Sequence, residues 1–316
     1  MNPDHPHRES DDDYRQALAD GWLPIRDVSR RTGVNPVTLR AWERRYGLVV
    51  PQRTPKGHRL YSEAQIARIQ AILTWLGRGV AVSKIRTLLD EDAPLPVENT
   101  ASPWDDLRQQ CIAAIARINE RQLDELFNGA LAIYPAQTLC GQLMLPLLDD
   151  LERRWQGQFG AQLERVFFHT WLRTKFGTRL YHHNRQQRGA PLLLVNQSDL
   201  PLEPGLWLTA WLASSAGCPL EILDWPLPPG ELALAVERVQ PRGLVLYASH
   251  ALNLPLLPRL LTGIACPVLL AGPATCIHPA ELAELALAEP PLHLARDPLD
   301  AFERLGELRL LNGEAP

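Results

Sequence analysis

Between residues 22 and 92, apolar positions recur every three or four residues in short blocks divided by Gly, Pro and Asn. Ile25 and Val28 give an apolar face to a helix that should stop at Gly33, because glycine tolerates the positive φ of a helix end. Asn35 then caps a second helix. Pro36 opens it, where a missing N–H costs nothing. Val37 and Ala41 are expected to pack inward, with Trp42 either a core anchor or a contact residue. A helix, a Gly-containing turn and a capped helix form a helix-turn-helix pattern. The next stretch, "LVVPQRTPKGHRLY" (48–61), reads as a strand, a Pro/Gly loop and a return strand. Ser62 and Gln65 make a capping box. Ile66, Ile69, Ile72, Leu73 and Leu76 follow at helical spacing, as core. "SKIRTLLDED" (83–92) is a fourth helix with Ile85, Leu88 and Leu89 inward.

A Pro-rich polar linker (93–103) separates this module from four helical patterns at 104–118, 120–132, 135–153 and 161–186. Leu139, Leu143, Leu147, Leu148 and Leu151 make the apolar stripe of the third. From Pro191 the rhythm changes. The runs "LLLV", "LEIL", "LVLYA" and "PVLLAG" alternate with helical segments, a last strand fits 292–294, and a closing helix fits 298–311. Such alternation predicts a parallel sheet covered by helices on both faces. The expected division is a disordered tail (1–21), a winged helix-turn-helix module (22–92), the linker (93–103), a helical segment (104–188) and an α/β domain (189–316).

Composition changes this picture in one respect. The net charge of −4 hides an asymmetry: residues 22–92 carry 13 Lys/Arg against 6 Asp/Glu, while the segments before and after are both acidic. Only this module is therefore expected to meet a polyanion. Elsewhere composition mainly excludes. Charged residues or Pro interrupt every apolar run before it reaches the length of a membrane span. The N-terminus, polar and acidic, does not read as a signal peptide, and its His5 and His7 belong to a polar tail rather than a metal site. Five scattered cysteines without a C-x-x-C pair suit a reducing, cytoplasmic setting.

The chemistry concentrates in "RAWERRYGL" (40–48) and the hairpin after it. Thr38, Arg40, Arg44 and Arg45 can line one side of the second helix, within reach of a major groove. Arg53, Lys56, His58 and Arg59 lie at or near the hairpin tip, and Lys84 and Arg86 are available to a phosphate backbone. "NPVTLRAWERRYGL" and "PQRTPKGHRLYSEAQI", followed by "VSKIRTLL", resemble the DNA-binding domain of MerR-type transcription regulators. The likeness is greatest to the branch that contains the MlrA-type regulators and the CarA/CarH/LitR photoregulators. It implies that Thr38, Arg40 and Arg44 face the DNA, with Arg44 or Arg40 reading a guanine edge. Arg45 and Tyr46 would touch phosphate or brace the wing. Arg53, Lys56, His58, Arg59 and Tyr61 would set the wing on the backbone, and Lys84 would act from a second wing.

More weakly, residues 104–312 resemble cobalamin-binding modules, a four-helix bundle followed by a flavodoxin-like α/β domain. The ligand residues do not follow. About ten residues after the family's Trp comes a Glu-His pair, but Arg165 and Val166 stand at that distance from Trp155. The D/E-x-H-x-x-G motif of true binders corresponds to "LPLEPG" (200–205), with Leu200 and Leu202 at the acid and the His. Leucine cannot donate nitrogen to cobalt, so no cofactor is expected. His169 reads as a packed helix histidine, and His182 and His183 as a solvated helix end. "NQSD" (196–199) and "YASH" (247–250) lie near predicted strand ends, where α/β sheets place ligands.

These features imply a DNA-binding regulator rather than an enzyme: cytoplasmic and nucleoid-associated, a homodimer on promoter DNA, and acting with RNA polymerase. The MlrA-type likeness implies activation of biofilm or extracellular-matrix (curli-like) genes. A degenerate C-terminal domain would then serve dimerisation, sensing or docking of a signalling protein through residues 93–316. The alternative is a cobalamin-dependent, light-sensing repressor.

Overall fold

The structure, a computed structural model, describes residues 14, 16–90, 102–157, 159–198, 200–250, 252, 254–277, 279–286 and 291–311. His5, His7, most of the expected tail and linker, and Asp199 of the "NQSD" loop lie outside the described residues. The chain divides into two compact units, Met1–Arg154 and Trp155–Pro316.

The first unit opens with β1 (Leu23–Pro24) and α1 (Ile25–Thr32). Gly33 ends α1 at φ 71°, as its position requires, and its N–H returns to the Ser29 carbonyl. The Asn35 side chain accepts from the Val37 N–H at 2.8 Å and starts α2 (Pro36–Ala41), which runs on through a wider π turn, Trp42–Tyr46. Next come β2 (Gln52–Arg53) and β3 (Arg59–Tyr61), an antiparallel hairpin whose return strand also pairs with β1. Helices α3 (Glu63–Gly77) and α4 (Val82–Asp90) complete the module, and the Ser62–Gln65 capping box forms in both directions. Val28, Val34, Leu39, Trp42, Leu48, Ile66, Ile69, Ile72, Leu76 and Ile85 are among the residues of one buried core. Fully burying an aliphatic side chain of this size contributes roughly 1.5–3 kcal/mol.

One expectation is reversed. Val37 is 57% exposed and Thr38 only 2%. Leu39 and Trp42, three residues apart, fix the inward face of α2 and carry Thr38 and Ala41 with them. Val37 is thereby turned outward beside Arg40.

Three further helical stretches belong to this unit: α5 (Pro103–Ala116), α6 (Glu120–Leu131), and a stretch made of α7 (Ala136–Leu139), a π turn (Cys140–Met144) and α8 (Leu145–Trp155). The π turn interrupts what the sequence predicts as one helix. It lies just before Pro146, which has no N–H to return to the carbonyl four residues earlier. The expected boundary at residues 93–103 is bridged by direct contacts. Trp42 Nε1 donates to the Ile133 carbonyl at 2.8 Å, Trp104 Nε1 to the Gly79 carbonyl at 3.2 Å, and Gln142 Nε2 to the Gly77 carbonyl at 3.0 Å. Ile133 and Tyr134 also pack on the N-terminal core.

The second unit begins with α9 (Ala161–Asn184) and continues as β4 (Leu192–Asn196), α10 (Pro204–Ser215), β5 (Leu220–Leu223), α11 (Leu232–Val239), β6 (Gly243–Tyr247), α12 (Leu257–Leu261), β7 (Val268–Ala271), α13 (Pro279–Ala286), β8 (Leu292–Ala295) and α14 (Pro298–Glu307). All five predicted strands form, in the all-parallel order β5-β4-β6-β7-β8. The first strand thus lies between the second and third, the flavodoxin-like order whose crevice opens where β4 and β6 end. Helix α10 is apolar all round because it is enclosed by α9, α14 and the sheet, with Leu206, Leu208, Ala210, Trp211, Leu212 and Ala213 buried. Asn184 ties the end of α9 to β5, donating to the Leu220 carbonyl at 2.7 Å and accepting its N–H at 3.1 Å.

Candidate nucleic-acid interface

Residues 37, 40 and 44 follow helical spacing, so their side chains share one face of the helix that α2 begins. All three are exposed. Arg45 is exposed beside them, whereas Tyr46 is half-buried against the core. The hairpin tip closes through Gly57, at φ 80°, whose N–H reaches the Thr54 carbonyl at 2.7 Å, and Thr54 N–H reaches the His58 carbonyl at 3.0 Å. This turn leaves Lys56 and His58 exposed. On α4, Lys84 and Arg86 are exposed, with Arg86 Nε 3.6 Å from Asp90.

Four of the sequence-derived contact residues are placed differently. Thr38 is buried, and Tyr61 is 1% exposed with its hydroxyl pushed up to about 12 by burial and then by the nearby Glu43 charge. Both belong to the interior beneath the exposed stripe. Arg59 and Arg53 are held by one carboxylate: Arg59 Nε donates to Glu43 Oε2 at 2.5 Å, and Arg53 Nη2 to Glu43 Oε1 at 2.7 Å. Burial opposes the Glu43 charge, but the two guanidiniums outweigh it and hold its pKa below the usual value. Glu43 therefore fixes the hairpin against the exposed helix. Sequence reading missed it because its partners lie 10 and 16 residues away, and a lone Glu among three Arg reads as solvated charge.

In the second unit, the loops after β4 and β6 meet at the sheet's C-terminal edge. Asn196 is fully buried; its Oδ1 accepts from Ser198 N at 2.8 Å and Ser198 Oγ at 2.7 Å, while its Nδ2 donates to the carbonyls of Leu200 and Asp224. Ser249 Oγ donates to Glu203 Oε1 at 2.7 Å, and His250 is exposed. Glu203, 2% exposed, has its pKa raised by burial, against the opposing Ser249 and Ser198 hydroxyls. Sequence reading singled out both serines but not this carboxylate. Leu202 is buried, and a Cβ on Gly205 would stand 2.0 Å from the Tyr247 hydroxyl. Tyr247 thus fills the space above Gly205. On α9, His169 packs edge-on to Trp155 at 5.9 Å, and burial, then the Arg165 charge, lower its pKa to about 4. His183 departs from the solvated end expected, its Nδ1 lying 2.9 Å from Ser214 Oγ. Among the described residues no helix is long and apolar enough to cross a membrane, and no group of three or more His, Cys, Asp or Glu could hold a metal ion.

Residues 23–92 match the model of the MerR HTH family of regulatory proteins, and residues 107–179 match that of the B12 binding domain. Over 199 residues the chain is 34% identical to the HTH-type transcriptional regulator MlrA of Escherichia coli K12, covering 63% of this chain and 78% of that protein. The chain belongs to the MerR family of HTH-type transcription regulators, on its MlrA-like branch. MlrA of Salmonella typhimurium LT2 is 33% identical over the same lengths. The HTH-type transcriptional repressor CarH of Myxococcus xanthus is 27% identical over 151 residues, 44% of this chain and 50% of the repressor. The MerR segment contains the whole exposed stripe, the hairpin and Lys84. The B12 segment of this MerR regulator covers most of the four helical stretches and ends at residue 179, before the sheet.

Proposed function

We propose that this MerR regulator binds promoter DNA with Arg40 and Arg44 in the major groove, while Arg45, Lys56, His58 and Lys84 contact phosphates. Thr38 and Tyr61 act beneath the surface, and Arg53 and Arg59 act through Glu43. The carrying observation is that Arg40 and Arg44 share one exposed face beside a hairpin locked to the same helix by Glu43. Phosphate contacts supply affinity and register, and one or two base contacts supply sequence choice. The protein acts as a homodimer in the cytoplasm, at the nucleoid, and activates biofilm or extracellular-matrix genes by twisting promoter DNA so that RNA polymerase engages, a form of indirect readout. Mapping its genomic sites at base resolution, with transcript levels in a deletion strain, tests this. Sites inside elongated promoter spacers and falling matrix transcripts are expected. Sites over transcription starts with rising transcripts would make it a repressor.

The second unit keeps the fold of a cobalamin domain without the means to hold cobalamin. Leu202 stands where the cobalt-ligating imidazole belongs, and the Tyr247 hydroxyl fills the space above Gly205. These residues do not fit the corrinoid, so residues 93–316 serve dimerisation, partner docking or sensing of another signal. The match of residues 107–179 to the B12 binding domain favours the second reading, a cobalamin-dependent light-sensing repressor. Incubating the purified protein with adenosylcobalamin separates the two: co-elution of the vitamin's visible absorbance on gel filtration would support the sensor.

A further inference from the structure

We propose that Val37 reads the methyl group of a thymine, an inference that rests on the groove-facing role of Arg40 and Arg44 proposed above. Val37 is 57% exposed in the first turn of the helix that carries both arginines, and it shares their face. It is not among the side chains packed on the core. Nothing local calls for it: valine is a poor helix former, and an apolar side chain turned to water gains nothing from burial. The cap is supplied by Asn35, so the Val37 side chain has no part in starting the helix.

A docked recognition helix contacts base edges with its N-terminal residues. The thymine C5-methyl is the apolar group those edges present in the major groove. A valine ahead of two arginines therefore fits a thymine preceding the base or phosphate that Arg40 engages. The arginines provide charge and hydrogen bonds, and Val37 discriminates against a bare pyrimidine edge. Val50, in the segment between this helix and the hairpin, is 66% exposed but lies off the helix and supplies a matched control.

The test begins by selecting preferred duplexes from a random-sequence pool with the full-length protein. Each thymine of the selected duplex is then replaced singly by deoxyuridine, which removes only the methyl group. Affinities are measured for the parent, Val37→Ala and Val50→Ala. The parent and Val50→Ala should both lose about three- to fivefold affinity at one thymine per half-site, the worth of one buried methyl. Val37→Ala should lose nothing further at that thymine, and its melting temperature should not fall below the parent's, since alanine is the better helix former. Equal losses for parent and Val37→Ala at every thymine, or no loss for the parent at any, overturn the proposal. A pool that yields no preferred sequence removes groove reading by this helix altogether, and the proposal with it.

Discussion

Glu43 and Arg59 join the recognition helix to the return strand of the hairpin through a hydrogen bond of 2.5 Å, with both side chains largely shielded at 12% and 18% exposure. The relationship decides what the hairpin can do. A hairpin anchored to the helix holds its tip in one register beside the exposed stripe; under the proposed function, groove and backbone contacts would then form together. Of the two arginines that hold Glu43, Arg59 is a shielded fastener, whereas Arg53 stays half exposed. Their charge still adds to the local positive field.

Replacing Glu43 by Gln should cost about 1.5–3 kcal/mol of stability, the usual worth of hydrogen bonds to charged groups. Most of that loss belongs to the shielded Arg59; Arg53, half exposed, contributes little. Arg53→Ala should therefore be milder than Arg59→Ala. The Glu43 pKa is depressed in the folded state, so its stabilisation is present above about 4.5, the ordinary glutamate value, and fades as pH falls through the depressed value. Urea melts at pH 7 and pH 3.5 check both points: the gap between parent and variant should shrink at the lower pH. An unchanged gap would mean that the pair is not ionic.

Glu203→Gln should act in the opposite direction. Its carboxyl pKa is raised by burial, so the folded state favours the protonated form. The contribution is full below the ordinary glutamate pKa and is lost as pH rises through the raised one. A neutral amide keeps an oxygen for the Ser249 hydroxyl and avoids that loss. The variant should match the parent at pH 4 and exceed it at pH 8, by roughly 1 kcal/mol or about 2–4 °C. Calorimetry across that range reads the difference; a variant that melts lower at pH 8 would show that the charged carboxylate is the stabilising form.

Trp42→Phe keeps an aromatic ring in the core but removes the donor to the Ile133 carbonyl, at a cost of about 1–3 kcal/mol for the hydrogen bond and the stranded acceptor. If this bond fastens the DNA-binding module to the helices after it, hydrogen exchange should quicken in residues 130–134. Unaltered exchange there would leave Trp42 as core alone.

The helix-turn-helix, the capping box and the five strands were legible because their signals are local. Gly33 marks a helix end, Asn35 and Pro36 a helix start, and apolar runs such as "LLLV" a buried strand. Long-range partners were not legible. Glu203 and Ser249 are 46 residues apart and Trp42 and Ile133 are 91 apart, and no periodicity links either pair. The exchange of Val37 and Thr38 has a local signal that competes with the expected one. The apolar pair at 37 and 41 suggested an inward face, whereas Leu39 with Trp42 buries more surface and sets the rotation of the helix.

Arg44 and Lys56 should differ in kind rather than degree. Arg44 lies on the exposed stripe that the proposed function sets in the major groove, so Arg44→Ala should cost about 1–3 kcal/mol on the preferred duplex, relax sequence choice and leave nonspecific binding nearly intact. Lys56 is exposed at the hairpin tip, and the proposed function gives it a phosphate contact. Lys56→Ala should weaken binding to all sequences alike and reduce the slope of log affinity against log salt by about 1, because one fewer counterion is released. Both side chains are exposed, so both variants should remain folded. Titrations on preferred and scrambled duplexes at several salt concentrations separate the two effects. Equal loss on both duplexes for Arg44→Ala would move that residue from the bases to the backbone, leaving Arg40 to read the groove.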